Sequence, residues 1–370
     1  MKLNRKRITT IVGAAMVTAS VFTMGGLGVA SAAGKTVTAP TGQTIFIIPK
    51  DTINPYEVQA DDGAATVIGN AGDTAVVDSG TTDAPTSQIP AIQSAIADHA
   101  SAIIIAADDP DAICPSIAQA EAAGITVVGF DSDFDCPNHL FINQAVTQTI
   151  GESEVTILAK EIPKATGQIA ILSAASTAAN QNSWIKYMKI ELKKYPKLKL
   201  VSTVYGNDDP ATSLTVLKGL LTKYPKLAGI ISPTTVGIST AAQYLDTHKS
   251  LLKHLHLTGL GLPSQMKPYV LDGTCPEFEL WNPIQLGQLA AYAALELDGS
   301  KPITTDTVGS VLYPTASVGS GTATVSGTWT IAGPAAGTTD AGGSAPAFDN
   351  SVILGAPFVF TKANVSQFNF

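Results

Sequence analysis

The sequence predicts an α/β protein of two lobes, each a doubly wound parallel sheet, and three observations carry that prediction. From Gln43 onward, short β-branched apolar runs alternate with stretches of helical periodicity, as in βαβ units. The pattern restarts near residue 146 and runs for a similar length again. The 370 residues are 45% apolar and only 14% charged, enough for two or three domains with a large core.

In the first unit, residues 44–48, 75–77, 102–106 and 125–130 read as strands. Their near-continuous apolar character is that of strands covered on both faces. Residues 55–69, 86–98 and 111–123 read as the intervening helices, with Ile89, Ile92, Ala95 and Ile96 at helical spacing. In the second unit, helices are expected over 146–162, 181–195, 211–224 and 235–245, and strands over 168–172, 199–204, 228–231 and 255–260. Lys194-Tyr-Pro-Lys-Leu198 and Lys223-Tyr-Pro-Lys-Leu227 are a local repeat. In each copy the proline ends a helix and the next apolar residue opens a strand, so the repeat reads as two equivalent connections. A strand at 278–281 and a helix over 283–297, with Pro283 in its first turn, follow. Residues 303–350 are rich in Thr, Gly, Ser and Ala; 311–313 and 322–331 read as a β-hairpin, 335–345 as a surface loop, and order is expected again over 352–360.

The N-terminus reads as an export signal. Lys2, Arg5, Lys6 and Arg7 precede an apolar, small-residue stretch to Val29, and Ala30-Ser31-Ala32 fits an A-x-A cleavage site, so residues 1–32 are expected to be removed. An uncleaved membrane anchor is the alternative. Without the leader the chain holds 18 basic against 30 acidic residues, a net charge of −12, and no arginine. An acidic, arginine-free surface excludes nucleic acid as a partner and disfavours ligands that need a bidentate guanidinium. Export permits disulfides. Cys114 opens a helix after one expected strand and Cys136 follows the next, at the same sheet edge, so these two are paired and Cys275 is left as a buried thiol.

Several catalytic motifs fail. The glycines from Gly28 to Gly34-Lys35-Thr36 have the wrong spacing for a P-loop and straddle the cleavage site. Gly259-Leu-Gly261 lacks the third glycine and downstream acid of a dinucleotide site. Ser183-Trp-Ile-Lys186 has no companion motif. His248, His254 and His256 lack helical metal spacing and lie among Lys249 and Lys253, so no metal or cofactor is expected. What remains is polar residues at strand ends. Ligands of open α/β sheets sit outside those ends. Lys50, Asp109, Asp131, Asn180, Gln181, Thr235 and Asn282 occupy such positions. Each alone reads equally as a cap or turn residue. Together they make a hydrogen-bonding site for a neutral polyol, with no activated nucleophile.

These residues resemble those of the periplasmic sugar-binding proteins of ABC importers, in particular the rhamnose-binding branch and its relative, the autoinducer-2-binding protein. The matching segments are Ile48-Pro-Lys50, Asp109-Pro-Asp-Ala112, Phe130-Asp-Ser-Asp133, Asn180-Gln-Asn-Ser-Trp184, Pro233-Thr-Thr-Val-Gly237, Leu257-Thr-Gly-Leu-Gly261, Gln265-Met266, Leu280-Trp-Asn-Pro283 and Leu354-Gly-Ala-Pro-Phe-Val-Phe360-Thr-Lys. Their order and spacing carry the resemblance from about residue 45 to 294 and again over 354–364; the region 303–350 is longer than the family leads one to expect.

The resemblance implies a periplasmic binding protein of type I, with three crossovers joining the lobes. The expected N-terminal lobe is 43–143 plus 282–303, and the C-terminal lobe 144–281 plus 304–370. It also implies a monomer in the periplasm or outside the cell, working with a permease. Lys50, Asp131, Gln181 and Pro233 correspond to pocket positions of the autoinducer-2 branch. Asn180 and Thr235 stand where that branch has aspartate and alanine, and here the chain is similar to the rhamnose-type branch. The expected ligand is therefore rhamnose or another neutral sugar, with Trp184 or Tyr56 against its methyl. An autoinducer-2 or polyol receptor is the second reading. The third is a secreted carbohydrate-active enzyme, which would need Asp109 and Asp131 poised as a pair.

Overall fold

The computed structural model describes residues 42–137, 139–297, 311–312, 329–330 and 350–370. The expected leader over 1–32 and the surface loop over 335–345 lie outside them.

The chain runs through β1 (Thr44–Ile48), α1 (Pro55–Ala71), β2 (Thr74–Val77), α2 (Pro85–Ala97), β3 (Ala102–Ile105), α3 (Cys114–Ala122), β4 (Thr126–Phe130) and β5 (Leu140–Asn143). It continues with α4 (Thr147–Glu161), β6 (Gly167–Ser173), α5 (Ala179–Glu191), β7 (Leu198–Tyr205), α6 (Pro210–Lys223), β8 (Leu227–Ser232), α7 (Thr235–Thr247) and β9 (His256–Gly259). Then come α8 (Pro263–Leu271), β10 (Glu277–Leu280), α9 (Pro283–Leu297), β11 (Val311–Leu312), β12 (Trp329–Thr330), β13 (Asn350–Ile353) and β14 (Phe358–Thr361).

The first lobe is built on a parallel sheet of order β13-β5-β4-β3-β1-β2. Side chains alternate across it. Ile45 and Ile47 join the core beneath α1 and α9, whereas Phe46 and Ile48 join the core beneath α2 and α3. A fully buried aliphatic side chain contributes about 1.5–3 kcal/mol, and both faces of β1 are filled this way. Helices α1 and α9 cross closely because Gly63 and Gly287 carry no Cβ; a methyl on either would collide with the backbone carbonyl of Ile284 or Ala60.

The second lobe holds a parallel sheet of order β7-β6-β8-β9, with β10 bridged to its edge at Leu260 and paired antiparallel to β14. Helices α4 with α5 and α6 with α7 pack as pairs. The two copies of the repeat close alike: Leu198 N–H donates to Tyr195 O at 2.9 Å and Leu227 N–H to Tyr224 O at 3.0 Å.

The lobes are joined by three crossovers, between β5 and α4, between β10 and α9, and between β13 and β14. Three features differ from the sequence reading. Strand β5 and helix α8 were not expected; β5 has four residues, and α8 carries Pro268 in its interior. The ordered stretch at 352–360 is two strands in different lobes. Residues 350–353, expected with the C-terminal lobe, lie in the first sheet, where β13 extends the parallel edge at β5. The hairpin expected from 311–313 and 322–331 is present, within the described residues, as the antiparallel pair β11–β12.

Cys114 and Cys136 are joined by a disulfide, with Cα atoms 5.3 Å apart, and Cys275 is a buried thiol.

Candidate functional site

Strand order reverses between β1 and β3 in the first sheet and between β6 and β8 in the second. Crevices form at such switch points, outside the carboxyl ends of the strands. The carboxyl ends of the two sheets contribute to one cavity between the lobes. From the first lobe it is lined by Lys50 after β1, by Asn54, Tyr56 and Glu57 at the start of α1, and by Asp131 after β4. Asn54 accepts from Tyr56 N–H at 3.1 Å and caps α1, which fixes where that helix begins. From the second lobe come Asn180, Gln181 and Trp184 on α5, Asp208 before α6, Pro233 to Thr235 at the start of α7, and Leu260. Leu280 and Trp281 close it at the crossover.

The first-lobe groups form one bonded array. Lys50 Nζ lies 3.2 Å from Asp131 Oδ2, with both side chains nearly inaccessible. Tyr56 Oη donates to Asp131 Oδ1 at 2.7 Å and accepts from Trp281 Nε1 at 2.6 Å. Asp131 adopts a left-handed backbone, φ 57°, which few non-glycine residues do and which recurs at functional sites. Trp281 sits edge-on to both Tyr56 and Trp184, at 6.2 and 5.8 Å between ring centres.

The second lobe reaches into this array through Asn180. Its Nδ2 donates to Asp131 Oδ2 at 3.1 Å, and its Oδ1 accepts from Lys50 at 3.5 Å. Gln181 is held from behind: its Oε1 accepts from Ala174 N–H at 3.1 Å and Ser173 Oγ at 3.2 Å. Thr234 Oγ1 donates to Asp208 Oδ1.

The charges are unequal. Lys50 is the one cation among the lining residues, against Asp131, Glu57 and Asp208. Burial alone would lower the Lys50 pKa, but the charges of Asp131, Glu57, Asp83 and Asp208 outweigh it and hold the ammonium above its ordinary value. Burial, and then the Asp131 charge, pushes the Glu57 carboxyl well above the usual range. Its Oε2 is buried without a hydrogen-bond partner among the described residues.

Six of the sequence-expected residues thus come together: Lys50, Asp131, Asn180, Gln181, Pro233 and Thr235. Two do not. Asp109 is turned to its own loop, where Oδ1 accepts from Asp111 N–H at 3.0 Å and Ala112 N–H at 2.9 Å. Asn282 caps α9, accepting from Gln285 N–H at 3.2 Å. Neither lines the cavity, so the carboxylate pair of the enzyme reading is not assembled at this cavity. Asn54, Glu57, Asp208 and Trp281 were not singled out. The signal for Glu57 and Asp208 was their place next to a strand–helix junction, but an acid there also reads as a helix-end charge or a turn.

Residues 45–301 match the family model of the periplasmic binding protein domain. Among solved structures, the chain is 35% identical to an ABC transporter solute-binding protein from Clostridium phytofermentas with bound L-rhamnose, with a TM-score of 0.78 over 89% of this chain and 98% of that one. A sugar ABC transporter structure from Actinomyces odontolyticus is 36% identical over the same shares, with a TM-score of 0.63. LsrB from Clostridium saccharobutylicum, in complex with AI-2, is 24% identical over 88% of this chain and all of that one, with a TM-score of 0.76, and shares the fold.

Proposed function

Because the chain belongs to the periplasmic binding protein family, as a solute-binding protein of ABC transporters, we propose that it is the receptor for one neutral sugar, L-rhamnose by preference, delivered to a membrane permease. The observation that carries this reading is the convergence of both lobes on one cavity, with donors and acceptors of both senses and an aromatic wall. Asn180 and Asp131 bond across the cleft, so a ligand hydroxyl placed between them exchanges one hydrogen bond for two. Glu57, with its partnerless Oε2, gives a place for one more contact. Trp184 and Trp281 give apolar surface for a deoxysugar's methyl.

Rhamnose is favoured over autoinducer-2 by two residues. Asn180 is a neutral amide that donates and accepts, whereas an aspartate only accepts and brings a further charge into an already acidic cavity. Thr235 supplies a hydroxyl and a methyl and fills space that alanine leaves open. The 35% identity to a protein with bound L-rhamnose supports the same choice. The lobe boundaries belong to this reading: residues 43–143 with 282–303, and 144–281 with 304–370 less the strand at 350–353. So do action outside the cytoplasm as a monomer, with residues 1–32 cleaved, and binding without turnover. N-terminal sequencing of exported protein is expected to begin near Ala33; an intact Met1 on membrane-bound protein would overturn cleavage.

A ligand that touches both lobes binds the closed state better than the open one. Small-angle scattering with L-rhamnose is expected to give a smaller radius than the protein alone, with the sugar recovered unchanged. Sustained product formation would overturn the receptor reading.

A further inference from the structure

We propose that Asp208 is the titrating contact of the second lobe, and that closure of the lobes on a sugar is coupled to uptake of one proton at its carboxyl. This rests on the sugar-receptor reading above.

Asp208 lies in the turn between β7 and α6, and its placement is built in. Asn207 and Asp208 both have left-handed backbones, φ 53° and 45°. That conformation is sparsely populated outside glycine and is best tolerated by Asn and Asp. The turn is fastened on each side. Gly206 N–H donates to Ser173 O at 2.8 Å, Asn207 N–H donates to Ala174 O at 3.2 Å, and Asp209 caps α6 by accepting from Thr212 N–H at 2.7 Å. The Asp208 side chain lines the cavity and is fixed by the Thr234 hydroxyl.

What it faces across the cleft is a set of like charges. Asp83, before α2, and Asp51, after β1, both act on it, with Lys50 as the counter-charge and Thr234 as its hydrogen-bond donor from its own lobe. Glu57 and Asp131 share the cavity. Asp108 interacts with Asp83 in turn; it is fully buried, and both its oxygens lack a donor among the described residues. Asp83 and Asp51 belong to the other lobe, so opening the cleft removes Asp208 from them and returns it to water. Closing it does the reverse.

In this structure, where Asn180 and Asp131 bond across the cleft, partial burial, and then the Asp83 charge, pushes Asp208 up to about 7, against the Thr234 hydrogen bond and Lys50. In an open form it returns towards an ordinary aspartate, about 4. The closed state therefore holds a proton that the open state has lost, at any pH between these two values. Affinity is greatest in acid, falls as pH rises through that window, and levels off above about 7. A receptor exported to a compartment of variable acidity would load best when the medium is acid.

The test is calorimetric titration of L-rhamnose between about pH 5.5 and 8.5, in two buffers of different ionisation enthalpy, on wild type and Asp208→Asn. Wild-type affinity is expected to fall about tenfold or more over this range. The heat at the acid end should depend on buffer, with proton uptake approaching one. Asp208→Asn is expected to bind with one affinity throughout. Should that variant fail to fold by circular dichroism, Asp83→Asn serves, and is expected to move the fall in affinity to lower pH. Rhamnose heat independent of pH and buffer, an Asp208→Asn protein with the wild-type fall in affinity, or an Asp83→Asn protein whose fall stays at the wild-type pH, overturns the coupling and leaves the receptor reading intact. No rhamnose heat at any pH overturns both.

Discussion

The two walls of the cleft are built differently. The first-lobe wall is a closed array: Lys50, Asp131, Tyr56 and Trp281 satisfy one another before any ligand arrives. The second-lobe wall is a row of separate groups on separate helix starts, with Asn180 on α5, Asp208 before α6 and Thr235 on α7. Changing a member of the array disturbs its partners; in the row, Asn180 alone bonds to the array, through Asp131 and Lys50, whereas Asp208 is held by Thr234 of its own lobe. Under the proposed function, the first wall would supply a polar seat and the second would choose the ligand.

The largest expected effect is on the array. Asp131→Ala leaves the buried Lys50 ammonium without its nearest charge, and breaking a buried pair by removing one partner costs about 3–5 kcal/mol. Urea unfolding is expected to register that loss, together with loss of sugar binding. An Asp131→Ala protein as stable as wild type would break the contrast between the walls. Next comes the disulfide of the first lobe. It closes a loop with a sequence separation of 22, and replacing both Cys114 and Cys136 by Ser is expected to cost about 3 kcal/mol in unfolding. Affinity should not change, since neither residue lines the cavity; weakened binding would show that this edge positions the wall.

On the second wall, Asn180→Ala removes a hydrogen bond worth about 1–3 kcal/mol. Rhamnose binding should weaken about ten- to a hundred-fold, with less than about 1 kcal/mol lost in stability. A smaller pH effect comes from the second-lobe core. Glu279 on β10 is fully buried beside Glu154 on α4, and burial pushes its pKa up to about 8. Unfolded, the group titrates near 4.5. The folded chain keeps the proton between these values, so this contribution is complete below about 4.5 and is lost as pH rises to about 8, at no more than about 1.4 kcal/mol per pH unit. Unfolding measured across that window should show a shallower fall for Glu279→Gln than for wild type; equal slopes would assign the fall to other buried carboxylates, such as Asp61.

Each wall was legible in part: Lys50 and Asp131 of the array and Asn180 and Thr235 of the row were expected from sequence, whereas Trp281 and Asp208 were not. Lys50 and Asp131 each end an apolar run that can only be a buried strand, and the strand end dictates where a polar residue points. At β3 the same logic slipped by one residue. Asp108 and Asp109 are adjacent acids; Asp108 is the fully buried one, pushed up to about 11 by burial and by its contact with Asp83, while Asp109 caps its own loop. A strand end does not reveal on which of two successive residues the chain turns. Asp208 was hidden more thoroughly. Gly206-Asn-Asp-Asp-Pro210 reads as a polar turn, and only the left-handed backbone of its middle residues aims one carboxyl inward. Helix α8 was missed because a proline inside a helix reads as its end.

The most direct test of the central claim is a calorimetric titration of the purified protein with L-rhamnose and, separately, with autoinducer-2. One-site binding of rhamnose, tighter than that of autoinducer-2 and with the sugar recovered unchanged, is the result expected. Heat with autoinducer-2 and none with rhamnose would contradict it.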